Sequence, residues 1–259
     1  MIAPMDDGGV SSPLYLLEPA ALAGVAPGDV VVLDGDEGHH AAAVRRTRAG
    51  ETLLVASGEG LLVTGVVEDV AGRSVRLRVG AVTDVVPPAP RLVLVQALAK
   101  GGRDELAIET ATELGVDAVV PWQAGRSVVV WSGERGERSR RKWRTTVRAA
   151  AKQARRAIVP DVRATLTTAQ LAASASAAAA VLVLHEAAGT PLTSVPLPEP
   201  GTDGEVLVVV GPEGGISDAE LEALAAAGGV PVQLGPHVLR SSSAGPAALA
   251  VLSARLGRW

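Results

Sequence analysis

Short runs of aliphatic and β-branched residues alternate with helical segments from residue 91 onward, and this alternation constrains the fold more than any other feature of the chain. The runs are RLVLVQAL, DAVVPW, VLVL, EVLVVV and VPVQL. Helices are predicted at about residues 103–114 and 139–156, in the alanine-rich segment 167–180, after Ser217 to about 227, and in the last segment through 256. Strands that alternate with helices in this way predict an α/β domain with a mostly parallel sheet.

The first third of the chain follows a different pattern. Its short β-branched runs are LYLLEP, VVVLDG, ETLLVAS, LLVTGVVEDV and RSVRLRV, with one helix predicted from Gly38 to Gly50. Such spacing predicts a small barrel or sandwich. The segment TDVVPPAP, residues 83–90, contains three prolines, which exclude a helix or a central strand. We therefore expect two domains, residues 1–85 and residues 86–259.

Composition excludes several classes of site. The 259 residues contain no cysteine, which rules out disulfides, thiolate zinc sites and a cysteine nucleophile. No apolar run approaches the roughly 20 residues that a membrane span requires. The N-terminus MIAPMDDGGV is acidic and lacks the apolar region of a signal peptide. We expect a cytoplasmic protein that uses no metal and does not bind membranes.

Basic residues are concentrated between residues 135 and 156, where ten stand against the single acid Glu137 in a chain of net charge −4. On a helix, one face carries Arg141, Arg144, Arg148, Lys152 and Arg155. An apolar stripe falls on another side and comprises Trp143, Val147, Ala150, Ala151, Ala154 and Ile158. The like-charge repulsion along this face favours a polyanionic partner, and a solvated arginine-rich face is the alternative. Because aromatic residues are only 2% of the chain, contacts to the nucleic-acid backbone are favoured over base stacking.

The segment VVVGPEGGISDAEL joins a predicted strand to a helix through the loop Gly211–Gly215. This loop is neither the G-x-G-x-x-G pattern nor the Walker pattern with its lysine, and it contains Glu213 without any basic residue. Ser217 and Glu220 form a predicted capping box, which explains the helix start locally. The loop therefore favours a neutral or cationic ligand against bare backbone, and a plain tight turn is the alternative.

A second loop has a similar design. LGPHVLRSSSAGPAAL, residues 234–249, again runs from a strand through glycine into a helix, with Pro246 predicted in its first turn. Arg240 precedes this helix, where the positive end of the helix dipole disfavours a cation. An anionic substrate or a developing negative charge explains the arginine at this position. An ordinary surface arginine is the alternative.

Five segments together resemble one known family in the order expected of it. They are HHAAAVRRTRAGE, KGGRDELAIETATELGVDAVVP, RKWRTTVRAAAKQARRAIVP, VGPEGGISDAEL and LGPHVLRSSSAGPAAL. The chain resembles the RsmE-type 16S ribosomal RNA uridine-N3 methyltransferases, which belong to the SPOUT class of knotted methyltransferases. The resemblance covers nearly the whole chain.

This resemblance implies a PUA-like β-barrel followed by a SPOUT α/β domain with a deep trefoil knot. It also implies S-adenosylmethionine as the methyl donor, 16S ribosomal RNA or the small ribosomal subunit as the partner, and a homodimer. The donor site carried over from the family comprises Leu184, His185, Glu186, Gly211, Pro212, Glu213, Gly214, Gly215, Ile216, Leu234, Gly235, Val238, Leu239 and Arg240. Arg240 is the predicted catalytic residue, and whether Glu213 contacts the donor or only braces the knot is open.

Further basic residues are candidates for RNA binding besides the helical face. They are Arg45, Arg46 and Arg48 in the N-terminal domain, and Lys100, Arg103 and Arg126 in the C-terminal domain. For Arg45, Arg46 and Arg48 the alternative is a solvated helix end. For Lys100 and Arg103 the alternatives are contact with the partner subunit and a helix cap region. No base is singled out, because the isolated histidines His39, His40, His185 and His237 are more often structural than catalytic.

The chain departs from the family pattern at two places. Lys152, Ala154 and Arg155 stand in a segment that is often E-Q-S-G-R, and Ser241, Ser242 and Ser243 stand where T-E-T is often found. Roles that need those particular side chains are therefore not carried over. Three alternative functions stay open: a knotted methyltransferase for transfer RNA or a ribose hydroxyl, a non-catalytic RNA-binding protein, and a nucleotide-dependent oxidoreductase. The failed phosphate motifs disfavour the last.

Overall fold

The computed structural model describes residues 12–259, so the segment on which the expectation about a signal peptide rests lies outside the described residues. The chain divides into two compact units. Unit 1 consists of Met1–Pro87 and Ala151–Val159, and unit 2 of Pro88–Ala150 and Pro160–Trp259. Within the described part of the chain, no helix combines the length and the apolar character that crossing a bilayer requires.

Unit 1 is built on a five-stranded sheet. Its strands are β1 (Leu14–Leu16), β2 (Val30–Leu33), β3 (Thr52–Ala56), β4 (Leu61–Ala71) and β5 (Ser74–Asp84), in the order β1-β3-β4-β5-β2. The β1–β3 pair is parallel and the other pairs are antiparallel. Strand β5 shows why the sequence forms this sheet, because Val75, Leu77 and Val79 are buried while Arg76 and Arg78 between them are exposed. The predicted strands of this region are confirmed, but β5 runs on to Asp84, so the exclusion of a central strand from residues 83–90 is wrong for the first two residues of that segment.

The predicted end of the helix from Gly38 to Gly50 is wrong, because the helical residues end earlier. Helix α1 (Gly35–His39) continues as a π-helical turn, His40–Val44. The chain then leaves the helix at Arg46, whose φ of 56° is left-handed, and the Thr47 N–H donates to the Ala41 carbonyl. Thr47 is buried, which fixes this early turn toward β3.

Unit 2 contains a seven-stranded sheet in which every pairing is parallel. The strands are β6 (Arg91–Ala97), β7 (Ala118–Gln123), β8 (Asp161–Val162), β9 (Leu166–Thr167), β10 (Ala180–Leu184), β11 (Glu205–Val210) and β12 (Gly229–Val232). The order is β12-β10-β11-β6-β7-β8, and β9 also pairs with β7. Strand β6 is buried from Leu92 to Ala97, as expected for a central strand covered on both faces. The predicted α/β class with a mostly parallel sheet is confirmed.

Five helices accompany this sheet: α2 (Arg103–Glu113), α3 (Gly133–Gln153), α4 (Thr168–Ala175), α5 (Asp218–Ala226) and α6 (Ser241–Arg255). Helix α3 begins six residues before the predicted start at 139, and α4 ends before 180 because β10 begins there. Pro246 lies in the second turn of α6, so its predicted place in the first turn is wrong. The trefoil knot stays a prediction of the family resemblance.

Helix α3 carries four members of the predicted apolar stripe, since Trp143, Val147 and the alanines at 150 and 151 are buried, whereas Ala154 and Ile158 lie beyond its end and are only half-buried. The basic face is shorter than predicted. The helix ends at Gln153, and Arg155 follows with a left-handed φ of 54°. The Arg156 N–H donates to the Ala151 carbonyl and the Arg155 N–H to the Lys152 carbonyl, which is the Schellman pattern of a helix end. Arg155 therefore occupies the position that favours glycine and does not share the face of Arg141.

We expect Arg155→Gly to stabilise the fold by about 0.5 kcal/mol. The left-handed conformation costs a side-chain-bearing residue roughly 1–2 kcal/mol, and the extra chain entropy of glycine in the unfolded state offsets part of that gain. Urea unfolding measures the difference. The matched control is Arg144→Gly at an exposed position inside α3, which should cost about 1 kcal/mol. Equal destabilisation by both substitutions would contradict the expectation.

Candidate functional site

A cavity of about 630 Å³ lies in unit 2, where residues that directly follow β10 and β11 meet the segment between β12 and α6. The carboxyl ends of parallel strands are the usual ligand site of such sheets. The predicted donor residues that line this cavity are Leu184, His185, Glu186, Gly211, Pro212, Glu213, Gly214, Gly215, Ile216, Val238, Leu239 and Arg240. The other two, Leu234 and Gly235, line a smaller cavity of about 80 Å³ that shares Leu184 to Glu186 with the larger one. The structure thus brings together the residues that the sequence places in one site.

The glycines of the loop Gly211–Gly215 are required by the space around them. A Cβ at Gly211 would lie 2.6 Å from Ile216 Cγ1, which is too close for a real contact. A Cβ at Gly214 would lie 3.2 Å from Arg126 Cβ, and Gly215 has a left-handed φ of 74°. The loop therefore packs tightly on its neighbours and presents bare backbone to the cavity.

Two arginines hold this loop. The Arg103 guanidinium forms an ion pair with Glu213, with Nη1 2.6 Å from Oε1, and Arg126 Nη1 donates to the Gly214 carbonyl oxygen at 3.1 Å. Burial acts to raise the pKa of the Glu213 carboxyl, but its own backbone N–H and Arg103 lower it by more, so the pKa lies below the ordinary range. Glu213 is thus linked to the start of α2 through Arg103. Both arginines, predicted to bind RNA, also line the cavity.

Glu220 is a buried carboxylate in the first turn of α5, the helix that follows this loop. Its Oε2 accepts from the backbone N–H and the hydroxyl of Ser217, which completes the predicted capping box of α5. Its Oε1 accepts from the Gly125 N–H at 2.8 Å and from the Thr168 hydroxyl at 2.9 Å. Burial acts to raise the pKa of Glu220, but these hydrogen bonds together lower it below the ordinary value. The carboxylate is therefore ionised and joins three segments.

Arg240 is the N-cap residue of α6, and its exposed guanidinium has no hydrogen bond or ion pair within residues 12–259. The adjacent Ser241 also lines the cavity, and its buried Oγ has no hydrogen-bond partner in that part of the chain. These two side chains provide uncommitted polar groups for a ligand. Sequence reasoning missed Ser241 and three other lining residues, Val210, Asp218 and Ala244. Each of these four residues lies within or next to a predicted motif. Closeness to the motif in the sequence is therefore the signal that could have identified them.

The structure distributes the predicted RNA-binding residues over several surfaces. Those that are exposed are Arg45, Arg46, Arg48, Lys100, Arg126, Arg141, Arg144 and Arg148. Lys152 is half-buried, because its ammonium pairs with Glu37 and lies 5.0 Å from the centre of the Tyr15 ring. The positive charge of Lys152 is therefore already neutralised by a carboxylate, which makes Lys152 a poor candidate for binding an RNA phosphate.

Two of the four histidines lie near the cavity. His185 lines both cavities, and its Nδ1 accepts from the Ala187 N–H at 3.2 Å. His237 lines the smaller one, whereas His39 and His40 belong to unit 1. No cluster of three or more His, Asp or Glu side chains that could hold a metal ion occurs in residues 12–259.

Comparison with known proteins gives consistent matches along the chain. Residues 87–253 match a family described as an RNA methyltransferase domain, and residues 33–80 match an RNA methyltransferase PUA domain. The chain is 47% identical over 236 residues to ribosomal RNA small subunit methyltransferase E of Mycobacterium bovis, covering 90% of this chain and 89% of the relative. The same-named protein of Bacillus subtilis is 30% identical over 231 residues, covering 85% and 88%.

A solved structure from Legionella pneumophila, described as a methyltransferase in complex with the bound cofactor SAM, has the same fold. It superposes with a TM-score of 0.81 at 29% sequence identity, and the match covers 95% of this chain and 98% of that one. The similarity therefore extends over both units.

Proposed function

The chain belongs to the RsmE-type family of ribosomal RNA methyltransferases, and on this premise we propose that it methylates N3 of a specific uridine in 16S ribosomal RNA, with S-adenosylmethionine as donor. The observation that carries the proposal is the cavity at the ends of β10 and β11, where the loop Gly211–Gly215 faces the uncommitted guanidinium of Arg240. A donor site and a charge-stabilising group thus share one cavity.

The residues present fit this donor. The cavity volume of about 630 Å³ lies within the range of small-molecule sites. Of the three arginines that line it, Arg103 pairs with Glu213 and Arg126 donates to the Gly214 carbonyl, and the carboxylates of Glu186 and Asp218 suit a ligand that carries a sulfonium cation. The bare backbone of Gly211–Gly215, the segment Leu184–Glu186 and the buried Ser241 hydroxyl would hold the donor. When bound, S-adenosylmethionine supplies an electrophilic methyl group.

The protein must make a poor nucleophile reactive. N3 of uracil carries a proton, and the nitrogen becomes nucleophilic as that proton leaves and negative charge spreads to the carbonyl oxygens of the ring. The Arg240 guanidinium is a fixed cation with planar donors that can stabilise this charge. Holding the base beside the donor supplies much of the remaining acceleration.

Several surfaces support RNA binding. Arg141, Arg144 and Arg148 are exposed on α3, and Arg45 to Arg48 form a second basic patch in unit 1. Such phosphate contacts give binding that weakens as salt rises. We assign RNA docking to the domain of residues 1–85 together with the basic face of α3, and catalysis to the domain of residues 86–259. The protein acts as a homodimer on the small ribosomal subunit in the cytoplasm.

The proposal is tested with labelled S-adenosylmethionine and small ribosomal subunits that lack the modification. We expect one methyl group per subunit, mapped to N3 of a single uridine in 16S ribosomal RNA. Large subunits and transfer RNA are the controls and should accept no label. Label on a ribose hydroxyl or in transfer RNA would instead support another knotted RNA methyltransferase, and donor binding without transfer to any RNA would overturn the assignment.

A further inference from the structure

Glu220 does more than cap its own helix. In the capping box of α4, the bonds of Gln170 within the described part of the chain go only to the start of that helix, at Thr167. Glu220 uses Oε2 in the same local way but directs Oε1 to Gly125 and Thr168, which lie 95 and 52 residues away in the chain. Thr168 in turn accepts from the Trp122 indole N–H at 3.2 Å, so its own proton is committed to Glu220.

These hydrogen bonds, together with the chain between them, form a closed ring of residues that includes part of the cavity wall. Gly125 is held by Glu220, and the next residue, Arg126, donates to the Gly214 carbonyl. From Gly214 the chain returns through Ser217 to Glu220. One carboxylate therefore holds the C-terminal part of the glycine loop in two ways, at Gly214 through Gly125 and Arg126 and just after the loop through Ser217, although Glu220 itself does not line the cavity.

We propose that Glu220 is a positioning residue for the methyl donor, which keeps the loop Gly211–Gly215 in its donor-binding shape through Gly125 and Arg126. The proposal rests on the proposed function only in taking S-adenosylmethionine as the ligand. When a loop is already held in its ligand-bound shape, binding the ligand does not cost the entropy of ordering that loop. The contacts of Glu220 therefore increase the affinity for the donor. Since Glu220 does not reach the cavity, the chemical step is not affected directly.

Glu220→Gln tests this role. Glutamine has the same shape, but its NH₂ group must face either Ser217 or the Gly125 and Thr168 donors, so one side of the ring is lost. We expect the dissociation constant of S-adenosylmethionine, measured by calorimetry without RNA, to rise about tenfold, which corresponds to about 1.4 kcal/mol. The KM for the donor should rise equally, while kcat at saturating donor changes less than about threefold.

The matched control is Gln170→Ala, which removes the corresponding side chain of the capping box of α4 but none of the hydrogen bonds to Glu220. It should lower the melting temperature and leave donor affinity unchanged. If Glu220→Gln folds poorly, Thr168→Val removes a single donor to Oε1 and should weaken donor binding by a smaller factor.

Unchanged donor affinity in both ring variants would overturn the proposal, and so would a loss of kcat at unchanged affinity. Failure of the wild-type protein to bind the donor would instead count against the proposed function.

Discussion

Replacing Arg240 by alanine should lower kcat for methyl transfer about 100- to 1000-fold, with little change in donor affinity. This is the usual effect of removing one pre-positioned group that stabilises charge in the transition state. The guanidinium lies on the cavity wall without a hydrogen bond or ion pair in residues 12–259, so no internal contact accounts for it. Its position ahead of α6 is electrostatically unfavourable, because the helix N-terminus is itself positive. Single-turnover assays with saturating donor measure the chemical step.

Arg240→Lys serves as the matched variant. Lysine keeps the positive charge but loses the planar fork of donors, so we expect an intermediate loss of rate. Calorimetric binding of S-adenosylmethionine to each variant separates a catalytic from a binding effect. Transfer at near full rate by Arg240→Ala would remove the assigned role, and an equal loss of donor affinity would place Arg240 in donor binding instead.

The class of the fold could be predicted because it depends on local patterns. Strand β5 alternates buried and exposed residues, and β6 contains the apolar run of residues 92–95. Each pattern is visible in a short window of sequence. Strand order could not be predicted in the same way. Strand β11 pairs with β6 from Glu205 opposite Arg91, more than 100 residues apart, and no local signal encodes that neighbour.

Prediction of the candidate site from the sequence is limited in the same way, to residues that lie in continuous motifs. Gly211, Gly214 and Arg240 belong to motifs that are continuous in sequence, and the structure places them on one cavity. The sequence assigns Arg103 and Arg126 to RNA binding, because an isolated arginine looks the same in the sequence whether it contacts a phosphate, a carboxylate or a carbonyl group. Their partners Glu213 and Gly214 lie 110 and 88 residues away, and only the folded chain reveals these contacts.

Helix α3 illustrates a conflict between periodicity and the helix end. The steps of three and four residues between the basic residues from Arg141 to Lys152 continue to Arg155. Helical periodicity alone therefore assigns Arg155 to the same face. The helix ends before it, although arginine is a poor residue for the left-handed position that follows. The end is instead set by tertiary packing, since Ala157 is buried against Leu14, Leu16 and Leu54 of unit 1.

Substitution of Arg258 by methionine should destabilise the protein by about 3–5 kcal/mol, because it leaves a buried carboxylate without its cation. Arg258 Nη2 lies 2.6 Å from Asp117 Oδ2, and the two side chains are only 7% and 6% exposed. Arg258 also donates to the carbonyl oxygens of Pro90 and Gly115, and Asp117 accepts from the Leu92 N–H. The expected loss is a large share of the roughly 5–15 kcal/mol that stabilises a typical protein. Urea unfolding measures it.

Adding Asp117→Asn to Arg258→Met should recover part of that loss. The neutral amide removes the uncompensated charge, and its oxygen can still accept from the Leu92 N–H. Arg78→Met is the control, because Arg78 also pairs with a carboxylate and donates to a carbonyl but is half-exposed. It should cost about 1 kcal/mol or less. If Arg258→Met lowers the free energy of unfolding no more than Arg78→Met does, burial does not strengthen the Arg258–Asp117 pair. The charge left on Asp117 is then compensated by its backbone contacts.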